Sequence, residues 1–345
     1  MNPAARIRLG GSDVLVTRLG LGLAPIGGLY APVGDATATA VIDRAWERGI
    51  RLFDTAPLYG HGVSERRAGA ALRGRPRAQF VLSTKVGRLL VPGEVPDRPV
   101  PLKPGPDRTM WAELPTGVTT RFDFSAAAIR RSVAESLHRL GLDRIDLLHL
   151  HDPDDHYLPA LHEALPAMVE LRTSGVVGAI SIGMNQAPMP AGLIRAMGEP
   201  GPDAVLVAGR YTLLDQSALD DLLPLALQRG ISVLAAAPYN SGLLADPTPG
   251  ARFDYAPAGR DLLDRARQIK SICRGYDVPL RAAAVQFAFG HPAVAAVVCG
   301  ARTPAEVDDN ADMAAFPIPD ELWVTLKREG LLAAHVPAPS GYIGS

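Results

Sequence analysis

Two cysteines in 345 residues cannot build a disulfide framework. Cys273 and Cys299 therefore read as small apolar core residues, and a reducing compartment is expected. No apolar stretch is long enough to cross a bilayer; residues 232–238, one of the richer runs, are only strand-sized. The opening segment, residues 1–8, carries charge with no apolar run behind it, so no signal peptide is expected and cytoplasmic is the default. Metal-ligand spacing is missing as well. The eight histidines are scattered, with no HExxH and no His/Cys cluster, and no metal site is expected. The net charge of −1 lacks the basic excess of a nucleic-acid partner. No GxGxxG leads from a strand into a helix, and Gly20-Leu21-Gly22 reads more simply as a tight strand.

What is present is a globular balance, 47% apolar and 21% charged, laid out in alternation. Short apolar runs predict strands at 19–23, 51–54, 80–84, 145–150, 178–182, 204–208, 232–236 and 294–298. Longer periodic segments between them predict helices at 36–48, 64–72, 125–140, 158–173, 188–197, 216–228, 260–276 with 280–289, and 304–313. Thr303 followed by Pro304 reads as an N-cap with proline at the first helical position, and Gly49, Gly141, Gly175 and Gly230 read as helix ends. Strand-then-helix units repeated in this way predict the α/β class and a (β/α)8 TIM barrel, one domain over residues 1–345. Residues 6–17, turning at Gly10-Gly11, read as a β-hairpin capping the barrel bottom. The irregular stretch 87–124, rich in proline and glycine and carrying Trp111, Phe122 and Phe124, reads as a lid loop over the C-terminal face. The connection 239–259 lies on the same face, and the tail past 332 is a further candidate to fold over it.

Polar residues stand at the ends of consecutive predicted strands. Asp54 and Tyr59 lie in Phe53-Asp54-Thr55-Ala56-Pro57-Leu58-Tyr59-Gly60, Lys85 in Ser83-Thr84-Lys85-Val86-Gly87, and His151 in Leu147-Leu148-His149-Leu150-His151-Asp152. Side chains at the C-terminal ends of barrel strands converge on one mouth. Alone, Asp54 and Lys85 read as a structural ion pair, but a buried pair is often neutral or costly for stability, so burial needs another reason. With Tyr59 they acquire one. The ammonium is expected to lower the pKa of the phenol, and Asp54 to hold the ammonium charged. Tyr59 then exchanges a proton with a substrate oxygen during hydride transfer, and His151 hydrogen-bonds the same oxygen. Period-2 alternation puts His149 on the same strand face as an alternative to His151.

At these residues the chain resembles the aldo-keto reductases. The resemblance rests on Phe53-Asp54-Thr55-Ala56-x-x-Tyr59-Gly60, Ser64-Glu65, Ser83-Thr84-Lys85, Asp146-Leu147-Leu148-x-x-His151 and Gly183-Met184-Asn185, and runs from about residue 6 to 331. It implies a catalytic tetrad of Asp54, Tyr59, Lys85 and His151, with tyrosine as the general acid/base; counting from Asp146 favours His151, with His149 the nearby alternative. Residues 83–92, 151–156, 208–216 and 238–242 are similar to the sugar-dehydrogenase branch, which includes L-fucose (D-threo-aldose) 1-dehydrogenase and pyridoxal 4-dehydrogenase. That branch implies oxidation of a cyclic hemiacetal to a lactone, with NADPH-dependent reduction of aldehydes or ketones as the alternative. The implied partner is a small-molecule sugar or pyridoxal substrate, for a monomer or small homo-oligomer.

The resemblance also implies a nicotinamide cofactor held by Gly300, Ala301, Arg302, Glu306, Asp309 and Asn310, where a helix N-terminus offers free N–H groups to a phosphate. Asp309 and Asn310 match adenine-contacting positions, and Asn185 matches a carboxamide contact. The glutamine and stacking-tyrosine positions of the family fall at Ala208 and at Ala236 or a neighbour, with Tyr239 nearby. Gly300 and Glu306 stand where NADPH-preferring members carry lysine and arginine. A glutamate repels a 2′-phosphate but accepts from a 2′-hydroxyl, so NAD is expected over NADP, with Arg302 read as the only remaining local cation. Trp111, Phe122, Tyr239, Asp152, Arg210 and Tyr211 are the substrate-side candidates.

Overall fold

The computed structural model describes residues 2–93, 110–112 and 114–339. Its centre is a closed barrel of parallel strands: β1 (Leu19–Gly22), β2 (Leu52–Asp54), β3 (Val81–Val86), β4 (Ile145–His151), β5 (Val177–Met184), β6 (Ala204–Ala208), β7 (Ser232–Ala236) and β8 (Val294–Gly300). Each pairs with its neighbours in chain order, and β8 closes on β1 through Val297 to Gly300 against Leu19 to Gly22. All eight stand where the sequence predicts them. Several run further at their C-terminal ends, so Lys85 and His151 are themselves strand residues rather than the first residues of a loop.

Continuous apolar runs form these strands because both faces are covered. Outward side chains pack under the helices, while Leu52, Val81, Leu147, Ala179, Leu206, Leu234 and Val298 fill the barrel interior. Gly20 leaves room for these side chains: a Cβ would lie 2.8 Å from Leu52 and 3.3 Å from Val298. Arg6–Arg8 and Leu15–Thr17 form the antiparallel N-terminal hairpin, and Leu9 and Val16 plug the interior from below. Gly10 turns at φ +48° with its Cα against the Asp203 carbonyl, where any Cβ would be only 2.3 Å from the oxygen.

The helices that bear on the site are α1 (Asp35–Glu47), α2 (Val63–Leu72), α3 (Ala126–Leu140), α4 (Leu165–Thr173), α5 (Pro188–Met197), α6 (Leu222–Gln228), α7 (Arg260–Gly275), α8 (Leu280–Phe287), α9 (Pro304–Ala315) and α10 (Asp320–Arg328). Two predicted helices are broken by proline. Pro166 cannot donate to the preceding turn, and the run 158–173 contains a π-turn over Ala160–Ala164 before α4. Pro224 fits only a first turn, so 216–228 divides into the 3-10 turn Ser217–Leu219 and α6.

The predicted irregular lid has regular ends. Arg88–Pro92 and Val118–Phe122 pair as an antiparallel ribbon, Arg88 opposite Phe122. Residues 94–109 and 113 of that segment lie outside the described residues. Leu29 and Trp111 form an isolated antiparallel bridge, which fixes Trp111 against the loop after β1. The described part of the tail packs on the Tyr211 hydroxyl through Pro337 and on Gly290 through Ala338. Among the described residues no helix is long and apolar enough to cross a membrane, and no group of three or more His, Cys, Asp or Glu is placed to hold a metal.

Candidate active site

At the C-terminal mouth the four predicted side chains meet. Asp54 is the last residue of β2, Lys85 lies in β3, His151 ends β4, and Tyr59 hangs from the loop between β2 and α2. Lys85 Nζ donates to Asp54 Oδ2 at 2.6 Å and to the Thr55 carbonyl at 2.9 Å. Ser83 Oγ donates to the other Asp54 oxygen at 2.7 Å. The Lys85 ammonium lies 4.7 Å from the centre of the Tyr59 ring, and the His151 ring meets that ring edge-on at 6.3 Å. His149 sits one layer deeper, its Nε2 3.4 Å from Asp54 Oδ1, an electrostatic contact rather than an aligned hydrogen bond.

The Tyr59 loop is locked from behind. Ser64 Oγ, at the start of α2, donates to the Leu23 carbonyl at 2.8 Å and is 2.8 Å from Thr55 Oγ1. Fully buried Glu65 accepts from Thr84 Oγ1 at 2.7 Å and from Arg139 Nε at 2.6 Å. These bonds tie α2 to β3 and thereby fix the distance between Tyr59 and Lys85.

Burial works against the Asp54 carboxylate, but the Lys85 ammonium and His149 outweigh it and hold its pKa well below the usual range. The Tyr59 hydroxyl goes the other way. Burial, then the negative charges of Asp54 and Asp152, push it well above 10, with Arg88 opposing. The expected lowering by Lys85 is overturned because Asp54 neutralises that ammonium at 2.6 Å, leaving desolvation to dominate. Burial, then Arg88 and Lys85, push His151 well below 6.5, so its ring is neutral and offers one N–H donor.

The rim brings further groups to the mouth. Trp111 lies 5.8 Å from Tyr59. Asp152 accepts from Arg88 Nη2 at 2.9 Å, and the Arg88 guanidinium lies 4.2 Å over Phe122. Burial raises the Tyr255 hydroxyl, and it is close enough to Tyr59, Asp152 and Tyr30 for their charges to act on it. Tyr30 has Arg252 over its ring at 5.3 Å. Neither Tyr30 nor Tyr255 stood out in the sequence; each comes from a loop far from the strand-end motifs. Of the other candidates, Tyr211 is buried against Phe287 at 5.1 Å in the outer core and does not line the mouth. Arg210 is tied to Asp254 at 2.7 Å, Asp215 at 3.1 Å and the Asn185 carbonyl at 2.7 Å.

The segment after β8 carries the predicted cofactor positions. Gly300 ends the strand, and a Cβ there would press to 2.9 Å of Pro25. Buried Ala301 leads to Arg302 and to the N-cap Thr303, which accepts from the Glu306 N–H at 3.2 Å. Glu306 accepts from the Arg302 N–H at 2.7 Å and lies 3.7 Å from its guanidinium. Asn310 accepts from the Tyr239 hydroxyl at 2.8 Å and donates to the Gly300 carbonyl at 3.2 Å. Asp309 receives two bonds from Arg281, at 2.7 and 2.9 Å. Arg302 is therefore not the only local cation: Arg281 reaches the segment from α8, a contact the sequence order hides. Asn185 stands exposed at the end of β5. The exposed start of α9, at the positive end of its dipole and beside the half-exposed Arg302 guanidinium, fits a nucleotide phosphate.

A description of the aldo/keto reductase family matches residues 18–328. The chain belongs to the aldo/keto reductase family. It is 44% identical over 325 residues to a D-threo-aldose 1-dehydrogenase from Pseudomonas sp, covering 93% of this chain and 96% of that protein. It is 40% identical over 339 residues to a pyridoxal 4-dehydrogenase from Microbacterium luteolum, covering 94% and 97%. A solved glycerol dehydrogenase from Gluconobacter oxydans shares the fold, with a TM-score of 0.71 at 24% identity over 99% of both chains. As an aldo/keto reductase, the protein is an oxidoreductase acting on CH–OH or carbonyl groups with a nicotinamide cofactor.

Proposed function

We propose that this enzyme oxidises the ring carbinol C1 of an L-fucose or D-threo-aldose-type hemiacetal to a lactone, with NAD⁺ preferred to NADP⁺. The observation that carries this reading is the half-buried Tyr59, flanked by the Lys85–Asp54 pair and neutral His151 at the barrel mouth. Substrate C1–OH binds with its oxygen between the Tyr59 hydroxyl and the His151 N–H. When bound, the oxidised nicotinamide supplies the hydride acceptor. Tyr59 as phenolate takes the hydroxyl proton as the C1 hydride leaves, so C1 ends as the lactone carbonyl. Lys85 steadies the phenolate, and Asp54 keeps Lys85 charged and pointed. His151 orients the oxygen by donating to it.

Gly300, Ala301, Arg302 and the first turn of α9 would hold the nucleotide phosphates, Asp309 and Asn310 the adenine end, and Asn185 the carboxamide. Preference for NAD⁺ is supported by the charge balance there. Arg302 stands beside Glu306, and Arg281 is engaged by Asp309, so neither is left over for a 2′-phosphate.

Two other readings have specific support. Identity to a pyridoxal 4-dehydrogenase is nearly as high, at 40% against 44%. The protonated Tyr59 suits an NADPH-driven aldehyde or ketone reductase. The test is NAD⁺ and NADP⁺ reduction at mildly alkaline pH with L-fucose, D-arabinose, L-galactose and pyridoxal. Turnover of an aldose with NAD⁺, lost about 1000-fold or more in Tyr59→Phe, is expected. Turnover of pyridoxal alone selects the second reading, and activity confined to NADPH-driven aldehyde reduction selects the third.

A further inference from the structure

Asp152 is a half-buried carboxylate that the proton-transfer chemistry does not use. It follows His151 directly, and its backbone takes the left-handed conformation at φ +44°, uncommon outside glycine. The Asp152 N–H donates to the Gly183 carbonyl at 3.1 Å, which anchors that turn to β5. The turn directs the side chain back into the mouth: one carboxylate oxygen lies 3.5 Å from His151 Nε2, and its charge acts on both Tyr59 and Tyr255. Only 20% of the side chain is exposed.

Its partner is equally fixed. Arg88 opens the lid ribbon, is 7% exposed, donates to Asp152 at 2.9 Å and lies over the Phe122 ring. A buried ion pair of this kind contributes little to stability by itself, because desolvation offsets the attraction. Arg88 also satisfies only part of the carboxylate. Two oxygens offer about four lone-pair positions, and among the described residues Arg88 is the one hydrogen-bond donor to them. The oxygen that accepts from Arg88 is also the one 3.5 Å from His151 Nε2, the nitrogen that would hold the reacting oxygen, and among the described residues the second oxygen has no hydrogen-bond donor.

We propose that Asp152, held by Arg88, is the specificity-determining residue that accepts a hydrogen bond from the hydroxyl on the carbon next to the reacting carbon. The inference rests on the proposed carbohydrate substrate and narrows it to α-hydroxy compounds. With the substrate oxygen held at His151, a carboxylate 3.5 Å from that ring is within reach of a hydroxyl on the neighbouring carbon. An α-hydroxyl then completes the Asp152 shell. A substrate without one buries the carboxylate with its acceptors unmet, and sites built this way discriminate strongly against the missing hydroxyl.

The test compares lactaldehyde with propanal, which differ by that single hydroxyl, in reduction by NADH and by NADPH. The native enzyme is expected to favour lactaldehyde by about 30-fold or more in kcat/KM, mostly through KM. Asp152→Ala and the near-isosteric Asp152→Asn are expected to bring the ratio to within about 3-fold, with the lactaldehyde KM raised and kcat changed less. A purely structural role would lower both substrates in parallel and leave the ratio alone. A native ratio near one, or a ratio that survives in whichever variant folds, overturns the inference. Failure of the native enzyme to oxidise any aldose would overturn the functional reading instead, since the lactaldehyde-to-propanal ratio is still read in the reductive direction.

Discussion

The Asp54 and Asp152 carboxylates and the Arg88 guanidinium act on the Tyr59 hydroxyl, and its desolvation decides its state. With its pKa raised above 10, the phenol is protonated at neutral pH. Reduction needs that proton, whereas oxidation needs it gone. The rate of oxidation should therefore rise about tenfold per pH unit below the phenol pKa, while reduction stays flat over the same range. Initial rates in both directions from pH 6 to 9 check this; an oxidation profile without slope would remove Tyr59 as the titrating base. Asp54, Lys85 and His151 were legible in the sequence because they stand at the ends of strand-sized runs, Tyr59 because it closes the loop that Asp54 opens, and strand ends of a barrel share one face. Tyr30, Tyr255 and Arg281 were not. Their neighbours at the mouth and at Asp309 come from distant loops and helices, and no local spacing encodes such meetings.

At the scale of elements, all eight barrel strands were readable because burial on both faces leaves a run with little else in it. Apart from the two helices broken by Pro166 and Pro224, the misses share a cause, which is pairing or packing between separated segments. The ribbon of Arg88–Pro92 with Val118–Phe122 joins strands on either side of a long insertion, and α10 earns its place by docking Leu322 and Leu326 into the outer core. The start of α9 was readable from Thr303 and Pro304 alone, and it carries a prediction about the cofactor. Glu306 accepts from the Arg302 N–H and stands beside its guanidinium. Glu306→Arg removes one negative charge, adds a positive one and releases Arg302. The ratio of kcat/KM for NADP⁺ over NAD⁺ is expected to rise about tenfold or more, the size of one charge-assisted hydrogen bond. An unchanged ratio would detach α9 from the 2′ position of the ribose.

The molecule as a whole keeps several titratable groups inside a densely packed barrel, and its stability should report them. His149, His151 and His291 are all buried with pKa values lowered by desolvation. His291 has a second reason to stay neutral, since its Nδ1 accepts from the Ala293 N–H at 3.2 Å. A histidine lowered in the folded state takes up its proton first in the unfolded chain. Stability is then complete above the unfolded value near 6.5 and falls as the pH drops toward the folded pKa, by up to about 1.4 kcal/mol per pH unit for each histidine. Asp54 is depressed too, but its contribution is lost only below the ordinary carboxylate range, near 4. Asp146 and Asp152, raised by burial, bind protons earlier in the folded state and oppose the loss as that range is approached. Between pH 7.5 and 5.5 the histidines therefore dominate. Urea unfolding over that interval should show a steady loss of stability, and His291→Gln should flatten the slope by about one proton's worth. His291 touches no group at the mouth, so this variant separates stability from catalysis. A stability that held level or rose on acidification would mean that the interior admits enough water to let these rings charge in place.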